Sequence, residues 1–127
     1  MRLLLDTHVV LWWLNDGPQL NQKVRGLLAS RSVELFVSVA TPWEVAIKHR
    51  LGKLSESGAK LMTELDAQGL PLLTIKAAHL AALETLPQHH RDPFDHLILA
   101  QAQAEGLTIV TADRLFERYG VPCIFAD

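Results

Sequence analysis

Residues 1–14 read MRLLLDTHVVLWWL, a short apolar run (Leu3, Leu4, Leu5) that ends abruptly on Asp6 before a second apolar stretch begins. A run of this length fits a strand buried on both faces, as in a parallel sheet covered by helices, and Asp6 then stands at its C-terminal edge. In open α/β sheets that edge is where ligands bind. Thr7 is expected to cap a helix carrying Val9, Val10, Leu11, Trp12, Trp13 and Leu14. The unit is strand, acid, helix. An Asp in this place also reads as no more than a helix cap, so the argument turns on whether other acids arrive at the same edge.

The rest of the chain repeats the alternation. Asn15-Asp16-Gly17-Pro18 is a dense turn signal, and Asn21 to Ser30 carries Val24, Leu27 and Leu28 at helical spacing. Val33 to Val39 reads as a second buried strand, after which Thr41-Pro42-Trp43-Glu44 opens a helix to about Leu51, stopped by Gly52. A helix from Ser57 to Gln68, a strand from Leu70 to Ile75 and a helix from Lys76 to Leu86 follow. Asp92-Pro93-Phe94-Asp95 opens a helix to Glu105, ended by Gly106, and a strand from Leu107 to Val110 leads to Thr111-Ala112-Asp113. A turn of helix to Tyr119 and a strand from Val121 to Phe125 complete the chain. The expected fold is α/β, one domain over residues 1–127, a doubly wound parallel sheet of four to five strands with helices on both faces.

With 127 residues, 49% hydrophobic and 20% charged, the chain supports one compact core and not two ordinary domains. The N-terminus lacks a secretory pattern, and the longest apolar run, Val9 to Leu14, falls far short of the roughly 20 residues of a membrane helix. A cytoplasmic protein with no membrane partner is expected. The single cysteine, Cys123, has no internal disulfide partner and is expected to be a buried strand residue. Net charge is −2, no signature of nucleic-acid binding. Setting aside Asp6, Glu44, Asp92, Asp95 and Asp113 leaves nine acids against 12 Lys and Arg, a mildly basic body around an acidic site.

TPWE (41–44) and DPFD (92–95) share one design: a capping residue, Pro, an aromatic, an acid. This places Thr41 and Asp92 at N-cap, the prolines at N1, and Glu44 and Asp95 at N3. Capping boxes need no function. What matters is the edge: Asp6 follows the first strand, Glu44 the second, Asp113 the fourth, and Asp95 opens the helix leading into that fourth strand. Four converging carboxylates repel by roughly 4 kcal/mol per pair at 4 Å and an effective dielectric near 20. A cation among them is therefore expected. Oxygen ligands without paired Cys or His favour Mg²⁺ or Mn²⁺ over Zn²⁺, and such ions activate water for attack on a phosphodiester.

The chain resembles the PIN domains, and more closely the VapC-type ribonuclease toxins of bacterial toxin–antitoxin pairs. The likeness runs through LLLDTHVVLWWL (3–14), WEVAIKHRLGKL (43–54), HRDPFDHLILAQA (90–102) and LTIVTADRLFERYGV (107–121). It implies a Mg²⁺-dependent endoribonuclease acting on RNA, neutralised by a cognate antitoxin and assembled as a homodimer. It also implies that Asp6, Glu44, Asp95 and Asp113 form the acidic metal-binding and catalytic quartet. The role of Asp92 stays open. Pro42 and Phe125 depart from the family pattern, and neither touches the quartet.

Other residues carry two readings each. Lys48 either reaches substrate phosphate or pairs with Glu44 one turn away. His89, His90 and Arg91 hold RNA backbone or form a solvated loop, and no matching His or Cys pair makes them a zinc site. Arg114 neutralises Asp113 or touches RNA. Trp12 and Trp13 point about 100° apart, so one of them is free to face a partner. The alternatives to a nuclease are a receiver-type phosphotransfer domain and a non-catalytic PIN-like RNA-binding protein. A receiver needs paired acids after the first strand and a late Lys, whereas this chain has only Asp6 and no Lys beyond Lys76. A dehalogenase-like phosphatase needs an Asp where His8 stands. A scaffold has no use for clustered repulsion.

Overall fold

The computed structural model describes residues 1–127. Five strands, β1 (Arg2–Leu5), β2 (Glu34–Ser38), β3 (Leu72–Leu73), β4 (Thr108–Thr111) and β5 (Cys123–Phe125), form one sheet in the order β3-β2-β1-β4-β5. Every pairing is parallel, with Leu4 of β1 in register with Phe36 on one side and Ile109 on the other. Six α-helices, α1 (Thr7–Leu14), α2 (Gln22–Ala29), α3 (Ala40–Arg50), α4 (Gly58–Ala67), α5 (Ala77–Glu84) and α6 (Pro93–Glu105), and a 3-10 helix (Arg114–Tyr119) make the connections.

The three leucines of β1 are fully buried because successive side chains enter opposite layers. Leu3 and Leu5 join Val9, Val10, Val24, Leu28, Leu61 and Leu65, contributed by α1, α2 and α4. Leu4 packs on the other face with Leu97, Ile98 and Leu99 of α6 and with Phe116 and Tyr119 of the 3-10 helix. The sheet is therefore doubly wound. From β1 the chain winds outward through β2 to β3, then crosses back to β4 on the other side of β1. The order reverses between β1 and β4, and a doubly wound sheet leaves its ligand crevice beyond the C-terminal ends of the strands flanking that reversal. Asp6 and Asp113 come off those two strands.

Several expected boundaries move, each for a local reason. The strand read at Leu70 to Ile75 shrinks to Leu72–Leu73, since Pro71 has no N–H to donate and the Gln101 side chain takes the Leu73 and Thr74 carbonyls. Pro122 likewise delays the last strand to Cys123, and Cys123 at this sheet edge is half-buried, not buried as expected. Thr7 is not the cap of α1. Asp6 holds that position, its Oδ1 accepting from the Thr7 amide at 2.7 Å, and Thr7 is the first helical residue.

Gly58 fixes how α4 meets the helix that carries Glu44. A Cβ there would collide with the Pro42 carbonyl oxygen and stand 2.7 Å from Ala46 Cβ. Gly58→Ala is expected to lower stability by roughly 1–3 kcal/mol, the usual cost of overpacking, as measured by urea unfolding. Unchanged stability would show that α4 is free to move away from α3.

Candidate active site

The carboxylates named from the sequence line a single pocket of about 390 Å³ at the C-terminal edge of the sheet. Asp6, Glu44, Asp92, Asp95 and Asp113 are all in its wall, with Lys48 the one lysine among them. Each is held differently. Asp6, 5% exposed, receives the Thr7 amide on Oδ1 and the Thr111 hydroxyl on Oδ2 at 2.7 Å. Glu44, 2% exposed, receives the Thr7 hydroxyl on Oε1 at 2.8 Å and Lys48 Nζ on Oε2 at 2.5 Å. Because the Thr7 proton goes to Glu44, the Thr41 hydroxyl donates to Thr7 Oγ1 at 3.1 Å. Asp113 turns back on its own helix, its Oδ1 accepting from the Leu115 amide at 2.9 Å.

The two look-alike motifs differ in structure. DPFD is as read: Asp92 is the N-cap, its Oδ1 accepting from the Phe94 and Asp95 amides, with Pro93 at the first helical position and Asp95 at the third. TPWE is not. α3 begins at Ala40, whose amide donates to Ser38 Oγ at 3.0 Å, so Thr41 and Pro42 lie inside the first turn and Glu44 falls two positions beyond N3. Pro42 is tolerated there because the first-turn amides of a helix have no intrahelical partner. The aromatics of the two motifs meet, Trp43 against Phe94 edge-to-face with centroids 5.0 Å apart, where α3 approaches α6.

Burial pushes the Asp6 carboxyl up, against the hydrogen bonds from Thr111 and Thr7 that favour its ionised form. Burial, and after it the charges of Asp6, Asp92, Glu44 and Asp113, push Asp95 up to about 8. Lys48 is raised, chiefly by its bond to Glu44. One lysine against five acids leaves the pocket negative. A donor set made of carboxylate oxygens in surplus suits a hard divalent cation. As they stand, no three of the acidic and imidazole side chains are drawn together tightly enough to hold one ion.

Of the residues with two readings, Lys48 makes the pair with Glu44. Arg91 is exposed. Arg114 does not neutralise Asp113: its Nη1 binds Asp127 at 3.0 Å and its guanidinium lies 3.9 Å over the Phe125 ring. His90 belongs neither to a solvated loop nor to an exposed RNA contact, since it turns inward onto Asp95 and Tyr119. Trp12 is in the pocket wall beside His8, and Trp13 packs on the core. Sequence reasoning gave Thr111 and Tyr119 no part in the site, took Thr7 and Thr41 only as helix caps, and read His90 as an RNA contact or a loop residue. Each of the threonines stands within three residues of a named acid, the one signal that pointed to them.

The PIN domain family model matches residues 3–122. The chain belongs to the PIN domain family. Its fold is similar to that of a chain of VapBC2 from Rickettsia felis, bound in that structure to a promoter DNA fragment, with TM-score 0.74, 20% identity and all of both chains covered. A chain of DNA-bound VapBC from Salmonella typhimurium aligns at TM-score 0.70 and 19% identity over 98% of each chain. FitAcB from Neisseria gonorrhoeae aligns at 0.65 and 21% over 96% of each. No curated protein matches the sequence. No helix of this PIN domain is long and apolar enough to cross a membrane.

Proposed function

We propose that this PIN domain is a VapC-type toxin, an endoribonuclease that hydrolyses RNA phosphodiester bonds with Mg²⁺ or Mn²⁺ and is neutralised by a cognate antitoxin. The observation that carries the reading is the pocket in which five carboxylates meet beside a single lysine at the strand-order reversal. Asp6, Glu44, Asp95 and Asp113 would hold the metal, with Asp92 as helix cap. A bound divalent ion supplies an activated water and neutralises charge on the phosphate.

The chain's own groups set the stage for that chemistry. Thr7 and Thr111 hold Asp6 and Glu44 by hydroxyl donors, which keeps both carboxylates oriented inside the wall. Lys48 stands on the Glu44 side of the pocket, from where its ammonium can pair with a phosphate oxygen. The exposed Trp43 lies next in sequence to Glu44 and offers an aromatic face to an unpaired base. The structural neighbours assembled as VapBC and FitAB complexes support an antitoxin partner. A homodimer and a cytoplasmic location belong to the same reading.

The antitoxin-free protein is expected to cleave RNA in Mg²⁺ or Mn²⁺ and to stop in EDTA, with activity restored by adding metal in excess. Cleavage in EDTA at the same rate would refute a metal-dependent mechanism. Metal binding without cleavage of any RNA would favour the non-catalytic alternative.

A further inference from the structure

We infer that His90 is a positioning residue for Asp95, held in one tautomer by Tyr119 so that its Nε2–H grips one carboxylate oxygen of the metal-facing acid. The inference rests on the metal-site reading above. Tyr119 Oη is the fixed point. It accepts the His89 amide at 2.9 Å and the His90 amide at 3.2 Å, which occupies its lone pairs. It also stands 2.7 Å from His90 Nδ1 and 3.5 Å from His96 Nε2, and because the latter carries the proton it donates to the His90 carbonyl, the tyrosine hydroxyl proton goes to Nδ1. A ring that accepts at Nδ1 carries its proton on Nε2. That nitrogen is 3.0 Å from Asp95 Oδ2.

The chain Tyr119 O–H to His90 Nδ1, His90 Nε2–H to Asp95 Oδ2 crosses from the 3-10 helix, through the loop before α6, to the third position of α6. Its members are largely enclosed: Tyr119 is 8% exposed, and the His90 and Asp95 side chains 15% each. The His90 carbonyl is pinned as well, accepting from His96 Nε2 at 2.7 Å, which fixes the backbone from which the ring projects. Asp95 Oδ1 receives no protein donor and is left for an outside partner. A carboxylate held by one oxygen through a histidine is the arrangement by which outer-shell groups orient metal ligands, and losing such a group typically weakens metal binding by about 10- to 100-fold.

The other acids have simpler holders: threonine hydroxyls, a lysine, backbone amides. Asp95 is the one held by an imidazole, whose tautomer a second side chain from another element sets. This gives the HHR loop a role that neither RNA contact nor solvation describes.

Two measurements test the inference. Long-range ¹⁵N–¹H spectra of the metal-free wild-type protein report the His90 tautomer directly, and Nε2–H is expected; Nδ1–H would overturn the relay whatever the metal does. Titration calorimetry with Mn²⁺ is then run on wild type, His90→Ala, His90→Gln and Tyr119→Phe, with thermal unfolding in EDTA alongside. His90→Ala is expected to bind Mn²⁺ roughly tenfold more weakly. Tyr119→Phe should lose less, and His90→Gln, which keeps an N–H within reach of Asp95, should recover most of the affinity. A purely structural His90 would lower the unfolding temperature and leave Mn²⁺ affinity unchanged, which would overturn the inference. A Gln variant as weak as Ala would also overturn it, because the hydrogen bond would not be what matters. Wild-type protein that binds no Mn²⁺ would instead sink the metal-site reading and this inference with it.

Discussion

Asp6→Asn is expected to lower RNA cleavage by at least about a hundredfold, the upper end of what outer-shell changes cost a metal site, in a protein that folds as well as the wild type. The fold should survive because Asn serves as an N-cap about as well as Asp. Its Oδ1 still accepts the Thr7 amide, and the Thr111 hydroxyl, which already accepts the Asp113 amide, can turn to accept from the new NH₂. Removing a charge that burial disfavours should leave thermal stability in EDTA equal or higher. Activity should vanish because Asp6 stands at the strand-order reversal, against Glu44 across Thr7 and against Asp113 across Thr111. Growth inhibition on expression should disappear in parallel. Cleavage within a few-fold of wild type at equal concentration would remove Asp6 from the machinery.

What the sequence disclosed and what it hid divide along the range of the interactions. The β1 run could be read because a triple-leucine strand has one economical burial, between two helical layers, and Leu3, Leu4 and Leu5 are all at 0% exposure. DPFD could be read because its cap is closed within four residues, from Asp92 Oδ1 to the Phe94 and Asp95 amides. TPWE has the same pattern but lies next to Ser38, whose hydroxyl competes for the first free amide, and Thr41 is drawn off to Thr7. Local patterning cannot rank those two caps. A contact 34 residues away decides it.

The holders of the acids were hidden for the same reason. Thr111 reaches Asp6 across 105 residues and Tyr119 reaches His90 across 29, so no window of sequence contains both partners. The acids themselves were legible since all of them follow strands or open helices at one edge, a property of topology that the β/α alternation exposes. Lys48 lies between the cases: the i, i+4 spacing announces its bond to Glu44, and only the folded pocket shows that Asp92 and Asp95 also act on its charge.

Asp95 and Asp92 should separate in a paired experiment, because one motif gives them opposite jobs. Burial, then Asp6, Asp92, Glu44 and Asp113, raise Asp95 from 3.8 to about 8. In the unfolded chain it ionises near its ordinary value, so between about pH 4 and pH 8 the folded state holds a proton that the unfolded state has released. Stability in EDTA therefore falls as pH rises through that window, by at most about 1.4 kcal/mol per pH unit. The His90 N–H, which favours the charged form, and solvent at the pocket mouth cut the total to the order of a few kcal/mol. Asp95→Asn removes this penalty. At pH 8.5 in EDTA it should raise the unfolding temperature by roughly 5 °C or more, and the gain should shrink toward zero near pH 4. In Mn²⁺ the order should reverse, since the wild type gains from the ion and the variant does not, and cleavage should be lost. Asp92 adds one of the charges that raise Asp95, and its own structural task is the local cap. Asp92→Asn keeps an Oδ1 for the Phe94 and Asp95 amides and should melt within a degree or two of wild type while still cleaving; Asp92→Ala should cost roughly 1 kcal/mol. An inactive Asp92→Asn beside an Asp95→Asn that still cleaves would transfer the third ligand position from Asp95 to Asp92.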